Sequence, residues 1–199
     1  HYHTSQGELK ALRHVNLDVP RGSIVGVVGE SGCGKSTLIS SIIRLLAENA
    51  MEPNGLIDFE GQNLMDFTLE HMQGVRGTSM SIVFQDPMST LNPVLSIGRQ
   101  MLDIQYRDRK SREEKIARSI EMLSSVGIPD PAGRLKQFPH DFSGGMLQRL
   151  SIAMGLRATP SLLIAGVATG ALGGTVEVQF IQLVRDLRRM GGWSGLFFW

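Results

Sequence analysis

Ile24-Val25-Gly26-Val27-Val28-Gly29-Glu30-Ser31-Gly32-Cys33-Gly34-Lys35-Ser36-Thr37 is the stretch on which the fold turns. Residues 24–28 form a continuous apolar run, β-branched except at Gly26, the pattern of a strand buried on both faces of a parallel sheet. Residues 29–36 match G-x-x-x-x-G-K-S/T without a gap. From Lys35, Leu38, Ile39, Ile42, Ile43, Leu45 and Leu46 recur at helical spacing, predicting a helix over 35–46. Strand, glycine loop and helix in that order make an anion cradle. The glycines turn consecutive backbone N–H groups inward and the helix start adds partial positive charge. Lys35 can reach terminal phosphates, and the Ser36 hydroxyl can hold Mg²⁺. Gly29, Glu30, Ser31, Gly32, Cys33, Gly34, Lys35, Ser36 and Thr37 are therefore the candidate phosphate-binding residues. Cys33 fills a free position of the motif as a small side chain, not as a nucleophile.

On either side of this unit the chain alternates between strand and helix patterns. Pro53-Asn54-Gly55 breaks the helix, Leu56 through Phe59 reads as a short strand, and Met80 through Phe84 as another buried one. Between Gln85 and Leu135 the character becomes helical and partly solvated. Ser111 and Glu114 fit a capping box ahead of Ile116, Ile120 and Leu123, and Gly127 ends that helix. A second Ser-capped helix is predicted from Ser143 to about Arg157, then a strand over 162–165. An amphipathic helix carrying Val176, Phe180, Ile181, Val184 and Leu187 and a final strand at 196–198 complete the pattern. The expected fold class is α/β: a P-loop NTPase with a parallel-sheet core, a small antiparallel β part and an inserted helical lobe. One domain over 1–199 is expected, with the lobe at approximately 86–158.

Composition narrows the function. Hydrophobic residues make up 42% and charged residues 20%, the balance of a packed domain rather than of a disordered or fibrous chain. The formal net charge of +1 supplies no field to gather nucleic acid or an anionic membrane, so no nucleic-acid partner is expected. No apolar stretch is long enough to cross a bilayer, and the first residues lack the pattern of a secretory signal, which together predict exposure to the cytosol. Cys33 is the only cysteine, so it has no internal disulfide partner. None of the five histidines has a zinc-type spacing, and His1 and His3 are expected on a frayed terminus.

A P-loop is shared by kinases, GTPases and transport ATPases. Phe142-Ser143-Gly144-Gly145-Met146-Leu147-Gln148-Arg149 decides among them, because it resembles the Ser-Gly-Gly-x-x-Gln signature of ABC-transporter ATPases. Its chemistry agrees: Ser143 can donate from its hydroxyl, while Gly144 and Gly145 leave N–H groups bare at a helix start, a second anion surface in one chain. The resemblance implies that Ser143, Gly144, Gly145 and Gln148 serve the ATP of a second ABC nucleotide-binding domain, paired head to tail. It also implies that Gln85 is the Q-loop glutamine, contacting Mg²⁺ and the attacking water, and that Tyr2 stacks on adenine. Phe84 through Pro93 and Phe138 through Phe142 are similar to the version found in oligopeptide, dipeptide and nickel importers. Implied cofactors are ATP and Mg²⁺. Implied partners are the second nucleotide-binding domain and transmembrane permease subunits, at the cytoplasmic face of the inner membrane.

The sequence departs from the family after Leu162-Leu163-Ile164-Ala165. Where the resemblance implies Asp-Glu-Pro, the chain has Gly166, Val167 and Ala168, and the loop aspartate is replaced within Ala171-Leu172-Gly173-Gly174. A glycine cannot orient the water shell of a metal, and a valine cannot accept a proton. The family histidine that follows the last strand is not reached by Trp199, so a C-terminally truncated cassette is expected. Four readings are open at this point: an ATPase driving import of peptide, nickel or a similar solute; a catalytically silent subunit lending its signature to an active partner; a truncated, non-functional product; and, last, a P-loop small-molecule kinase, which would not need the signature segment.

Overall fold

The computed structural model describes residues 1–51, 54–166 and 174–199. At the N-terminus, β1 (Tyr2–Thr4) pairs antiparallel with β2 (Gly7–Leu9). β3 (Ile24–Val27) leads into the glycine loop and α1 (Lys35–Ile42). Next comes a tight hairpin, with β4 (Asp58–Phe59) and β5 (Gln62–Asn63) joined by Glu60 and Gly61. α2 (Leu69–Val75) precedes β6 (Met80–Val83). Four helices, α3 (Pro87–Thr90), α4 (Ile97–Asp103), α5 (Arg112–Ser125) and α6 (Pro131–Arg134), form the inserted region. α7 (Gly144–Leu156), β7 (Leu162–Gly166), α8 (Gly174–Gly191) and β8 (Ser194–Phe198) close the order.

The main sheet runs β3-β8-β7-β6, all parallel. Alternate side chains of β7 point to opposite faces, as strand geometry requires. Leu163 and Ala165 join Leu147, Leu150, Ile152 and Val184 in one core, and Leu162 and Ile164 join Met80, Leu196 and Phe198 in another. α7 and α8 thus cover one face, and α1 and α2 the other. α7 lies directly on the sheet at Gly155, where a Cβ would come 2.9 Å from Val83 Cγ2 and 3.2 Å from Leu163 Cδ1.

Two glutamines, both buried, organise the helical insertion. The Gln100 carboxamide accepts from the Asn92 N–H at 2.9 Å and donates to the Asn92 and Leu95 carbonyls, each at 3.0 Å. Gln105 donates to the Met101 carbonyl at 2.8 Å, the Lys115 carbonyl at 3.2 Å and the Ser119 hydroxyl at 2.9 Å, tying α4 to α5. The expected capping box is present in both directions: Ser111 N–H donates to the Glu114 carboxylate at 2.8 Å and Glu114 N–H to the Ser111 hydroxyl at 3.2 Å. The backbone bond from Ser111, then its hydroxyl, lowers the Glu114 carboxyl below its ordinary value.

Several expectations are corrected. The first helix stops at Ile42 rather than 46, because Arg44 takes φ +53°. That turn aims its guanidinium at the Leu64, Met65 and Phe67 carbonyls, at 3.0, 3.0 and 3.1 Å. Arg76 then donates to the Ile43 carbonyl at 2.7 Å and the Arg44 carbonyl at 2.6 Å. Burial, and secondarily the Arg44 charge, lower its pKa. The strand predicted over 56–59 is confined to Asp58–Phe59, and that over 80–84 ends at Val83. The last strand begins earlier, at Ser194. His1 and His3 belong to the N-terminal hairpin rather than to a frayed end: the His1 ring contacts the Glu8 carboxylate, and His3 Nε2 lies 2.8 Å from Met51 Sδ. Pro53 and residues 167–173 lie outside the described residues, as do the side chains of Val176 and Phe180.

Leu150 has 0% exposure between the sheet and the helical insertion. Leu150→Ala is expected to lower unfolding free energy by about 2–5 kcal/mol, because the cavity adds to the lost burial. Urea titration followed by far-UV circular dichroism checks this.

Candidate nucleotide site

The four parallel strands share one carboxyl edge, the edge at which open α/β sheets bind ligands. β3 ends into the glycine loop, β6 into Gln85 and β7 on Gly166. β8 is followed by Trp199, whose carbonyl accepts from Gly29 N–H at 3.2 Å and whose N–H donates to Val27 at 2.9 Å. The start of the loop is thereby pinned to the sheet.

Gly32 and Gly34 take φ +82° and +100°, the left-handed region that side chains disfavour, and Gly34 caps α1 without a side-chain bond. A Cβ at Gly34 would also come 2.8 Å from the Ala11 carbonyl and 3.2 Å from Leu12 Cδ2. Ala11 and Leu12 were not visible as site neighbours in the sequence, since neither residue carries a chemical signal. Among the described residues, the backbone N–H groups of Gly32, Gly34, Lys35, Ser36 and Thr37 have no partner within the chain. The Lys35 ammonium is held in the same loop by the Gly29 carbonyl, by the Glu30 carbonyl at 2.6 Å and by Cys33 Sγ at 3.6 Å. Ser31, Cys33 and Ser36 are exposed. Bare donors, a cation on a long stem and a helix start fit an oligophosphate.

Tyr2 reaches this loop from the hairpin: its hydroxyl lies 3.2 Å from Thr37 Oγ1. The residue is half-buried. Tyr2 and the glycine loop, far apart in sequence, are neighbours in space.

The signature residues sit at a different surface. Ser143 caps α7, accepting from Met146 N–H at 3.3 Å, and Gly144 and Gly145 begin the helix with unpaired N–H groups. Ser143 and Gly144 are exposed. Gln148 points the other way: it is 5% exposed, and its Nε2 has no partner among the described residues. The approach to α7 is fixed by Phe138 N–H donating to the Asp141 carboxylate at 2.9 Å, and by Arg134 over the Phe142 ring at 5.5 Å.

Gln85 is exposed beside Gly166 and makes no side-chain hydrogen bond within the described residues. Phe84, Met88 and Val94 around it are also exposed, at 53, 47 and 76%. For a hard divalent cation the donor set is thin: Ser36 Oγ and the Gln85 carboxamide are neutral oxygens, and Gly166 brings no carboxylate.

The ABC transporter family profile matches residues 12–169. The chain belongs to the ABC transporter family. It is 44% identical over 194 residues to a probable peptide ABC transporter ATP-binding protein of Sinorhizobium fredii, covering 96% of this chain and 58% of that protein. It is 42% identical to the oligopeptide transport ATP-binding protein OppD of Bacillus subtilis, across 94% of this chain and 53% of the relative. The dipeptide transport ATP-binding protein DppD of Bacillus subtilis is 43% identical, with 94% and 56% covered. The chain thus spans a little over half the length of these relatives. Among solved structures, the dimeric post-hydrolysis state of the cassette MJ0796 bound to ADP and Pi superposes with a TM-score of 0.79 at 27% identity, over 94% of this chain and 79% of that one. The cassette cbiO1 of Clostridium perfringens gives 0.82 at 25% identity, over 99% and 74%. The α/β P-loop NTPase fold expected of the sequence is the fold of these ABC cassettes.

If the glycine loop and Tyr2 form one site, two variants separate their contributions. Lys35→Ala is expected to weaken binding of ATP and of tripolyphosphate alike, whereas Tyr2→Ala weakens only ATP, by roughly 1–3 kcal/mol for a lost stacking face. Isothermal titration calorimetry with both ligands checks the pair.

Proposed function

We propose that this chain is the nucleotide-binding subunit of a peptide-importing ABC transporter, that it binds ATP with Mg²⁺ at Gly29 through Thr37, and that it turns over little ATP by itself. Its role is to complete a composite site, presenting Ser143, Gly144 and Gly145 to the ATP held by a catalytically competent partner cassette. The observation that carries this reading is the contrast between two strand ends on the same sheet edge. β3 ends in a phosphate loop with all its donors, and β7 ends on Gly166 with no acid.

Each residue has a distinct task. The N–H groups of residues 32 and 34–37 and the Lys35 ammonium bind and orient the phosphates. Ser36 and Gln85 are the oxygens that would hold Mg²⁺, which when bound neutralises phosphate charge. Tyr2 stacks on adenine. Gly144 and Gly145 N–H groups and the Ser143 hydroxyl face outward to a second copy or a relative of this fold, consistent with the dimeric cassette MJ0796. Gln148, directed into the core, supports α7 rather than touching nucleotide. The exposed Phe84, Met88 and Val94 beside Gln85 suit an apolar element of a permease. The relatives' names support peptide as the cargo, and no helix among the described residues is long and apolar enough to cross a membrane, so a permease partner would place this subunit at the cytoplasmic membrane face.

Loss of a positioned general base slows hydrolysis by about 10²- to 10⁴-fold. Alone, the chain is expected to release phosphate no faster than its Lys35→Ala variant while still binding ATP. Mixed with a partner cassette that has the acidic pair, it should raise that partner's turnover, and Ser143→Arg in this chain should remove the gain. Mg²⁺-dependent turnover by the chain alone, above the Lys35→Ala baseline, would sink the proposal.

A further inference from the structure

Gly166 and Gln85 meet at the ends of neighbouring parallel strands. The register pairs Val83 with Ala165, so the turn after β6 lies alongside the last residue of β7. A Cβ on Gly166 would be 3.0 Å from both the backbone nitrogen and the Cβ of Gln85, and 3.2 Å from its Cα. Favourable contact between carbons lies at about 3.5–4.0 Å. All three atoms belong to the backbone or its first carbon, so no rotation of the Gln85 side chain relieves the approach.

The segment after Gln85 is not slack. The Asp86 carboxylate accepts from Met88 N–H at 3.0 Å and caps α3, the Ser89 hydroxyl donates to the Asp86 carbonyl at 2.8 Å, and Leu91 is buried. α3 rests on α7, and α7 carries Ser143, Gly144 and Gly145 at its start. The capped turn of α3 therefore lies between Gln85 and the signature helix.

We propose that Gly166 is a positioning residue for Gln85. The absence of any side chain at the end of β7, and not only the absence of a carboxylate, sets where the turn after β6 rests. Placing an acid at 166 pushes Gln85 and α3 outward before it contributes any charge. This deepens the reading of the chain as a silent cassette, on which its functional meaning rests, although the contact itself involves neither nucleotide nor partner.

The test is amide hydrogen exchange on the nucleotide-free protein, comparing Gly166→Ala and Gly166→Asp with Gly74→Ala. Gly74 lies on α2, where a Cβ would meet nothing within 4 Å. Both substitutions at 166 are expected to speed exchange at Met88 through Leu91 roughly tenfold, with α1 and β8 unchanged and the Gly74→Ala control silent. Unchanged exchange in Gly166→Ala overturns the proposal, including the case in which only Gly166→Asp responds, since charge would then be the cause. Equal acceleration in α1 and β8 also overturns it, because that marks general loosening. In a Gln85→Gly background, which deletes one of the three close atoms, the stability lost on Gly166→Ala should shrink. An equal loss in both backgrounds, or failure of Gln85→Gly to rescue a Gly166→Ala chain that does not fold, overturns the proposal. Exchange without nucleotide is blind to turnover, so this result and the hydrolysis result can fail separately.

Discussion

The pairing of β7 with β6 on one side and β8 on the other is the constraint on which the rest of the molecule depends. Leu163, Ile164 and Ala165 have no exposure, so both faces of this strand must be covered, and only helices returning from parallel crossovers can cover them. The same register aligns the carboxyl ends of β3, β8, β7 and β6. Backbone pairing thus brings Gly29, Gln85, Gly166 and Trp199 to one edge although they are spread over most of the chain.

The helical insertion depends on that sheet through few connections. Gly155 lets α7 approach Val83 and Leu163 without a Cβ between them, and Leu150 and Ile152 fill the space around this contact. The remaining order comes from polar groups inside the insertion, where Gln100 and Gln105 satisfy carbonyls of its loops and helix ends. These buried carboxamides fix geometry through the carbonyls that their N–H groups satisfy, while the Gln105 Oε1 has no partner among the described residues. The insertion is in this sense organised internally and seated on the sheet as a unit, with its signature surface at the exposed start of α7.

The parts legible in the sequence were those governed by short-range rules. The glycine loop, the Ser111–Glu114 box and the Ser143 cap are set by residues within a few positions of one another, and each forms as its spacing predicts. The parts that escaped depend on contacts across long stretches of chain. α1 looks like a longer helix by periodicity, but three carbonyls between Leu64 and Phe67 recruit Arg44 and turn the backbone left-handed. Gln148 carries the polarity of a ligand contact, and its position on α7 points it inward. Tyr2 was placed at the nucleotide only by the family resemblance, and the Thr37 contact that sets it beside the glycine loop is one that no local pattern encodes. The replacement of acids at 166 and 167 was plain in the sequence, whereas the closeness of Gln85 to Gly166 required coordinates.

Binding and hydrolysis place different demands on this edge, and the silent-subunit proposal rests on that difference. Holding a triphosphate needs donors and one cation, which come mostly from backbone N–H groups and are insensitive to side-chain substitution. Hydrolysis needs an acid aimed at water and a metal with ordered ligands, and these depend on side chains, those at the end of β7 among them. Substitution there can abolish chemistry while leaving the phosphate loop untouched. A chain altered in this way keeps the glycine loop and the exposed start of α7, because neither draws any of its donors from β7.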